Sequence, residues 1–351
     1  MNDHIPHRAD EGWAMAATEP QRVRAPNMRD VAQLAGVSYQ TVSRVVNNSP
    51  ALRDETRERV LAAMEQLHYR PNRAARALKT SRSRMIGVLA SVRATYGPAL
   101  TIQAIESAAM AEGLYVSTAH ITEVDTETIS AAIDRLIDQD VEGLIVIAPQ
   151  QRVFDTLAAM SDLPPTVTLR SGLDGDPRAL WVDQMAGARA AVAHLAEQGH
   201  EYIRHLAGPQ DWIEADARMQ GYLLELSDRD LPTLPPIRGD WTSDFGYYAG
   251  RELMVVRDCT AFFCSNDEMA FGVMHAAHEL GLDVPGDISV VGFDDVPSAR
   301  HYWPPLTTVR QDFDELGRRC VRMLVDGTDA SPGDVEPQLV VRASTAAPRR
   351  R

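Results

Sequence analysis

Residues Met28–Asn48, MRDVAQLAGVSYQTVSRVVNN, have the spacing of two short helices broken by one tight turn. The first half turns Val31, Ala32, Leu34 and Ala35 inward, and Gly36 supplies the permissive backbone a sharp turn requires. Ser38 has the chemistry of an N-cap, since its hydroxyl can accept from a free amide of the next turn, so a second helix begins at Tyr39. On that helix Val42, Val45 and Val46 share one face, and Tyr39, Gln40 and Arg44 share the opposite one. A helix laid in a major groove needs this division: short apolar residues to seat it, and long planar side chains near its N-terminus to reach base edges. Gln matches adenine and Arg matches guanine, each pair contributing roughly 1–3 kcal/mol of discrimination. Ser38, Thr41, Ser43 and Asn47 beside them suit phosphate oxygens, which set register without reading sequence. A helical hairpin with a merely solvated polar face has the same pattern, so the wider chain has to decide.

Charge partition favours the DNA reading. The 351 residues carry a net charge of -14, but residues 22–84 hold 13 Lys or Arg against 5 Asp or Glu, a balance of +8 that leaves -22 for the rest. A basic module on an acidic body is the footprint of a protein that holds a polyanion with one end only. Three cysteines, Cys259, Cys264 and Cys320, form no paired-ligand spacing and fit a reducing compartment. Residues 1–26 lack the apolar core of a signal peptide and are expected to be a disordered extension. No run is long enough to span a bilayer, so a cytoplasmic protein without a membrane partner is expected.

Behind the second helix, a third from about Asp54 to Leu67 presents Val60, Leu61, Met64 and Leu67, closing a helix-turn-helix headpiece over 27–70. Pro71 opens a short polar segment to Leu78, within a linker over 71–83. It is too small to bury anything alone and should order only against a partner such as DNA, a plain linker being the other reading. From Met85 short apolar strands alternate with helices. Strands are expected at Met85–Ala90, Leu114–Thr118, Gly143–Ala148, Thr166–Leu169, Ile203–Leu206, Ala261–Cys264 and Ile288–Phe293. Such alternation means parallel sheets covered on both faces, and roughly 260 residues is more than one such sheet usually holds. The fold expected is an all-α headpiece plus an α/β core of two doubly wound parallel-sheet lobes.

Several polar side chains fall past strand ends, where such sheets bind ligands. Ser91 follows the first strand, Asp183 closes Trp181-Val-Asp183, Asn266-Asp267 follows Ala261–Cys264, and Asp294-Asp295 follows Ile288–Phe293. Arg218 lies early on a helix and Trp241 ends Arg238-Gly-Asp-Trp241. Carboxylates, an amide and a guanidinium around an indole suit a polyhydroxylated ring. Each residue alone also has an ordinary structural reading, the Asp pairs as caps and Trp241 as core. Enzyme signals are missing: His194, His200 and His205 share no helical face, and no metal pair, phosphate loop or nucleophile elbow occurs. Those histidines are expected at the surface or in ordinary helix packing, and no cofactor is expected.

Met28–Asn47, with Thr56-Arg57 and Tyr69-Arg-Pro-Asn72, resembles the headpiece of the lactose-repressor (LacI/GalR) family. The resemblance continues through Ile86-Gly-Val88, Gly199-His200, Ala207-Gly-Pro209, Gly239-Asp-Trp241, Ser265-Asn-Asp267, Val291–Asp295, Pro305–Thr308 and Gln311-Asp-Phe313. It implies a homodimeric repressor on a palindromic operator, with a periplasmic-binding-protein-like core that holds a small sugar effector. The triplet Tyr39, Gln40 and Arg44 resembles that of the lactose-repressor branch and implies a lac-like half-site. Leu78 resembles the hinge leucine that wedges into the minor groove, with Asn72, Arg73 and Ala75 as its neighbours. Arg218, Asn266 and Asp294 correspond to effector ligands and Trp241 to an aromatic wall, with Ser91 and Asp183 as lesser correspondences.

The implied core is N-lobe 84–183 plus 310–335 and C-lobe 184–309 plus 336–345, followed by a tail at 346–351. Departures are Ala186 in place of an acidic ligand, a different wall at 92–96, and Arg53 at the usual serine cap of the third helix, with Asp54 as substitute cap. The C-terminus lacks a heptad leucine tail, which disfavours a tetramer. The rival readings are a sugar-binding receptor without DNA function and an enzyme on a doubly wound fold.

Overall fold

The structure, a computed structural model, describes residues 26–47, 52–70, 82–91, 96–148, 150–170, 178–327 and 333–349. The expected N-terminal extension up to residue 25, the hinge residues Asn72, Arg73, Ala75 and Leu78, and residues 92–95 of the expected wall lie outside the described residues. The chain divides into two compact units, residues 1–81 and 82–351.

In the first unit, α1 (Met28–Ala35), α2 (Tyr39–Val46) and α3 (Asp54–Gln66) pack around Val31, Ala32, Val42, Val45, Val60 and Ala63. No fully buried residue of this core is larger than valine, with Met64, Leu67 and Tyr69 packed partly buried against it, and each buried valine contributes on the order of 1.5–3 kcal/mol. Local chemistry therefore matters. Asn27 caps α1 in a reciprocal capping box with Asp30, Gly36 ends the helix at φ 63, and Ser38 caps α2.

Three headpiece expectations are corrected. Leu34 and Leu61 are exposed, not inward. At 100° per residue each lies about 110° round its helix from the centre of the buried stripe, Val31-Ala32-Ala35 in one case and Val60-Ala63-Met64 in the other. Asp54 does not cap α3; it sits in the first turn, where its charge faces free amides, and Arg53 occupies the cap position without a side-chain bond.

The second unit contains two six-stranded sheets. Its elements run β1 (Met85–Ser91), α4 (Tyr96–Ala111), β2 (Tyr115–Ile121), α5 (Thr126–Ile137), β3 (Gly143–Ile147), α6 (Gln151–Ala159), β4 (Thr166–Leu169) and β5 (Ala179–Val182). They continue as α7 (Gln184–Glu197), β6 (Ile203–Ala207), α8 (Ile213–Asp228), β7 (Ile237–Arg238), α9 (Ser243–Val256), β8 (Ala261–Cys264) and α10 (Asp267–Glu279). The last are β9 (Ser289–Asp294), β10 (Thr307–Arg310), α11 (Phe313–Asp326), β11 (Gly333–Val335) and β12 (Gln338–Val340).

One sheet has the order β11-β5-β4-β3-β1-β2 and the other β12-β10-β9-β8-β6-β7. All pairings are parallel except β10 with β12, where Thr308 faces Val340. The chain crosses between sheets after β5, after β10 and after β11. β1, β3, β8 and β9 are buried almost throughout, as strands covered on both faces must be. No helix among the described residues is long and apolar enough to cross a membrane.

His205 is a further correction. It lies on β6 in the core, not on a helix or at the surface, stacked between Tyr222 and Phe263 at centroid distances of 4.9 and 4.7 Å. His200 is likewise buried, bonded to the Thr260 hydroxyl and the Ala346 carbonyl.

Candidate operator and effector sites

The recognition face is built by its cap. Ser38 Oγ accepts from the Thr41 amide at 3.1 Å and lies 2.9 Å from Thr41 Oγ1. The Asn47 side chain donates back through Nδ2 to the Ser43 carbonyl at 2.7 Å and closes the helix. Val42 and Val45 face the core, which leaves Tyr39, Gln40 and Arg44 exposed on α2. The structure thus brings the exposed trio onto one eight-residue helix, and sets Ser38, Thr41, Ser43 and Asn47 around it with part of their hydrogen bonding already engaged.

Between the two lobes lies a cavity of about 90 Å³. Arg218, from α8, is buried in its lining. Its Nε donates to Gln184 Oε1 at 2.8 Å, its Nη1 to the Ser265 carbonyl, and its Nη2 lies 3.7 Å from Asp294 Oδ1. Gln184 donates to Gln311 at 2.8 Å and Gln311 donates to Asp294 at 2.6 Å, closing a ring of four side chains. The guanidinium also lies 3.9 Å from the centroid of Phe293. Burial pushes the Asp294 carboxyl up to about 6, against the pull of Arg218.

Trp241 lines the same cavity, edge-on to Trp212 at 5.3 Å between centroids. A Cβ at Gly208 would overlap the Trp241 ring, so the Ala207-Gly-Pro209 turn needs its glycine for this approach. Trp241 and Asp294 both hold left-handed backbones, φ 73 and φ 107. Such strain costs on the order of 1–3 kcal/mol per residue and concentrates where a side chain must be aimed. Asn266 holds Trp241 in place, its Nδ2 donating to the Trp241 carbonyl at 3.0 Å.

Of the six expected effector residues, Arg218, Trp241 and Asp294 therefore line the cavity together, and the other three do not. Asn266 uses its remaining side-chain oxygen to cap α10. Asp183 caps α7 through the Ala186 amide at 2.8 Å. Ser91 is buried within 3.5 Å of Gln150 Nε2. Asp267 is also turned away, accepting from the Val296 amide and the Thr308 hydroxyl, and its deep burial pushes its carboxyl well up.

Sequence reasoning missed Gln184, Gln311, Arg170, Glu214, Trp181, Trp212 and Phe313, all of which line the cavity. Arg170 directly follows β4, a strand the sequence marks, so the strand-end search could have reached it; Trp181 lies within β5, which the sequence reading did not locate. Gln311 and Phe313 stand in a motif that carried the resemblance without a role.

A helix-turn-helix reader and a two-lobed receptor whose cavity combines an apolar lining with a few buried polar side chains make up a ligand-responsive DNA-binding regulator. Residues 27–72 match the model for bacterial regulatory proteins of the lacI family, and residues 192–345 match a periplasmic binding protein-like domain. The chain is 37% identical to the lactose operon repressor of Escherichia coli (strain K12), covering 91% of this chain and 90% of that protein. It is 33% identical to the HTH-type transcriptional repressor PurR of Proteus mirabilis (strain HI4320), covering 91% and 96%.

Among solved structures, the lac repressor dimer bound to operator and the anti-inducer ONPF superposes with a TM-score of 0.83 at 35% identity, covering 92% of this chain and all of that one. A complex of the transcriptional regulator CelR with cellobiose gives 0.65 at 30% identity, covering 91% and 99%. The chain belongs to the lacI family of bacterial regulatory proteins. It is a DNA-binding transcriptional repressor whose core is the receptor for a small effector.

Proposed function

We propose that this protein represses sugar-utilisation genes as a cytoplasmic homodimer on a palindromic operator, and that a small sugar in the cleft between its lobes sets its DNA affinity. No catalytic step is assigned to it. The observation that carries this reading is the cavity, where a guanidinium, a carboxylate and two amides stand beside an indole whose Nε1 has no hydrogen-bond partner among the described residues. Polar groups of that kind hold hydroxyls, and an indole face covers the apolar side of a sugar ring. The solved relatives bound to ONPF, ONPG and cellobiose support a sugar as occupant.

In the headpiece, Tyr39, Gln40 and Arg44 read base edges and Ser38, Thr41, Ser43 and Asn47 hold the backbone. Asn72, Arg73, Ala75 and Leu78 form the minor-groove contact. Coupling follows from linkage: a sugar that binds the released form more tightly weakens operator binding by the same factor.

The test is anisotropy of a labelled lac-like palindrome with the full-length protein, run with and without mono- and disaccharides. Operator affinity should fall steeply with salt, because each neutralised phosphate releases a counterion. At least one sugar should shift it. A protein that bound the palindrome no better than scrambled duplex would overturn the operator assignment, and one indifferent to every sugar would overturn the effector assignment.

A further inference from the structure

The cleft contains a second charged pair that the Arg218 ring does not absorb. Arg170 follows β4 on one lobe and Glu214 lies in the first turn of α8 on the other; both line the cavity. They attract each other across it. Yet Glu214 Oε2 and Arg170 Nε have no hydrogen-bond partner among the described residues. Each is held from behind. Arg170 Nη2 donates to Gln151 at 3.0 Å and the guanidinium lies 4.7 Å from the centroid of Phe154. Glu214 is anchored by the same helix that carries Arg218. Nearby, Gln150 bridges Trp212 backbone to backbone, joining the lobes at this end of the cleft.

Two buried polar atoms left without partners are costly, and they persist where a ligand completes them. We propose that Arg170 and Glu214 form a cross-lobe clasp that selects an uncharged polyhydroxylated effector, one hydroxyl donating to Glu214 while an oxygen of the same ring accepts from Arg170. This rests on the cleft being the effector site. The class follows from charge balance. A phosphate or carboxylate would suit Arg170 but would meet Glu214 and Asp294 and could donate nothing to Glu214. An ammonium would meet Arg170 and Arg218. A hydroxyl donates and accepts at once and adds no charge to a site that already balances two arginines with two carboxyl groups.

The apolar part of the lining, Ile147, Leu169, Leu180, Val182, Phe313 and Leu316, offers no partner for a charge. Trp241 Nε1, also unpartnered, supplies a further donor to such a ring. Burial pushes Glu214 up to about 7, and Arg218 and Arg170 oppose that rise by favouring the ionised form that accepts from a hydroxyl.

Calorimetry on the full-length protein decides it, with methyl glucoside, methyl galactoside, lactose and cellobiose set against glucose 6-phosphate, glucuronate and glucosamine. A neutral member should bind and its charged counterparts should not. For that neutral sugar, Glu214→Gln and Arg170→Gln should each weaken binding by about 10-fold or more, the range of a hydrogen bond to a charged group. The double variant should lose less than the product of the two, because both act through one ligand edge. Melting temperatures within a few degrees of the unsubstituted protein exclude general unfolding as the cause.

Preferential binding of a phosphorylated or acidic sugar overturns the class. Binding of a neutral sugar that both single variants retain within threefold overturns the clasp while leaving the effector reading intact. If no member of the panel binds, the effector reading fails and takes the clasp with it.

Discussion

Arg44 and Arg218 are the same side chain in opposite settings. Arg44 stands exposed on α2, with the valines that hold the headpiece together on the other side of the helix. Arg218 is buried, hydrogen-bonded to Gln184 and Ser265, beside Asp294 and over Phe293. In the headpiece, stability and recognition are carried by different faces of one helix, so they are separable. In the cleft, the groups positioned to hold a ligand also hold the lobe together. A substitution there changes both.

The largest effect expected from this difference is at Arg218. Arg218→Leu leaves Asp294 buried without its cation, and breaking a buried pair from one side costs about 3–5 kcal/mol. The sign with pH is fixed by Asp294. Its folded pKa is already raised by burial to about 6, above its ordinary value, so its contribution to stability is fully present at low pH and is lost as pH rises through the folded value. Without Arg218 that value climbs further. Urea denaturation of the core should therefore show a deficit that is greatest near pH 8 and shrinks toward pH 5. Equal deficits at both pH values would mean that Asp294 does not depend on Arg218, and the contrast with Arg44 would weaken.

Arg44→Ala tests the other half. Loss of one guanine contact costs about 1–3 kcal/mol, or roughly 5- to 150-fold in operator affinity. The unfolding midpoint should stay within about 0.5 kcal/mol of the unsubstituted protein, as for other surface changes away from caps and cores. A clear drop in stability would show that the exposed face of α2 also supports the headpiece.

The same contrast explains what sequence could reveal. Tyr39, Gln40 and Arg44 lie within six residues at helical spacing, so helical periodicity alone places them on a common face. The strands β1, β3, β8 and β9 are short apolar runs covered on both sides, and their composition marks them. The edge strands β7, β11 and β12 have only two or three residues each and little to distinguish them from loops. Gln184 and Gln311 meet across 127 residues of sequence, and nothing local to either announces the other. Leu34 and Leu61 misled because an apolar residue next to a buried stripe carries the same composition signal as one within it. Asn266 and Asp183 follow strand ends as ligands would, but the free amides of the helices they precede engage them first.

Ser38 blurs the separation between the two faces of α2, and its effect should be the smallest. It is both the cap of that helix and a proposed phosphate contact. Ser38→Ala removes the 3.1 Å bond to the Thr41 amide, and loss of a serine cap costs about 1 kcal/mol. Amide hydrogen exchange in α2 of the full-length protein should quicken by about fivefold, while the core amides stay unchanged. Operator binding should weaken less than in Arg44→Ala, because the helix remains the populated state and the trio is intact. Ser38→Thr keeps a hydroxyl acceptor at the cap and should recover most of both losses. If Ser38→Ala weakened operator binding with no change in α2 exchange, the hydroxyl would act on DNA alone, and stability and recognition would be as separate at the cap as they are at Arg44.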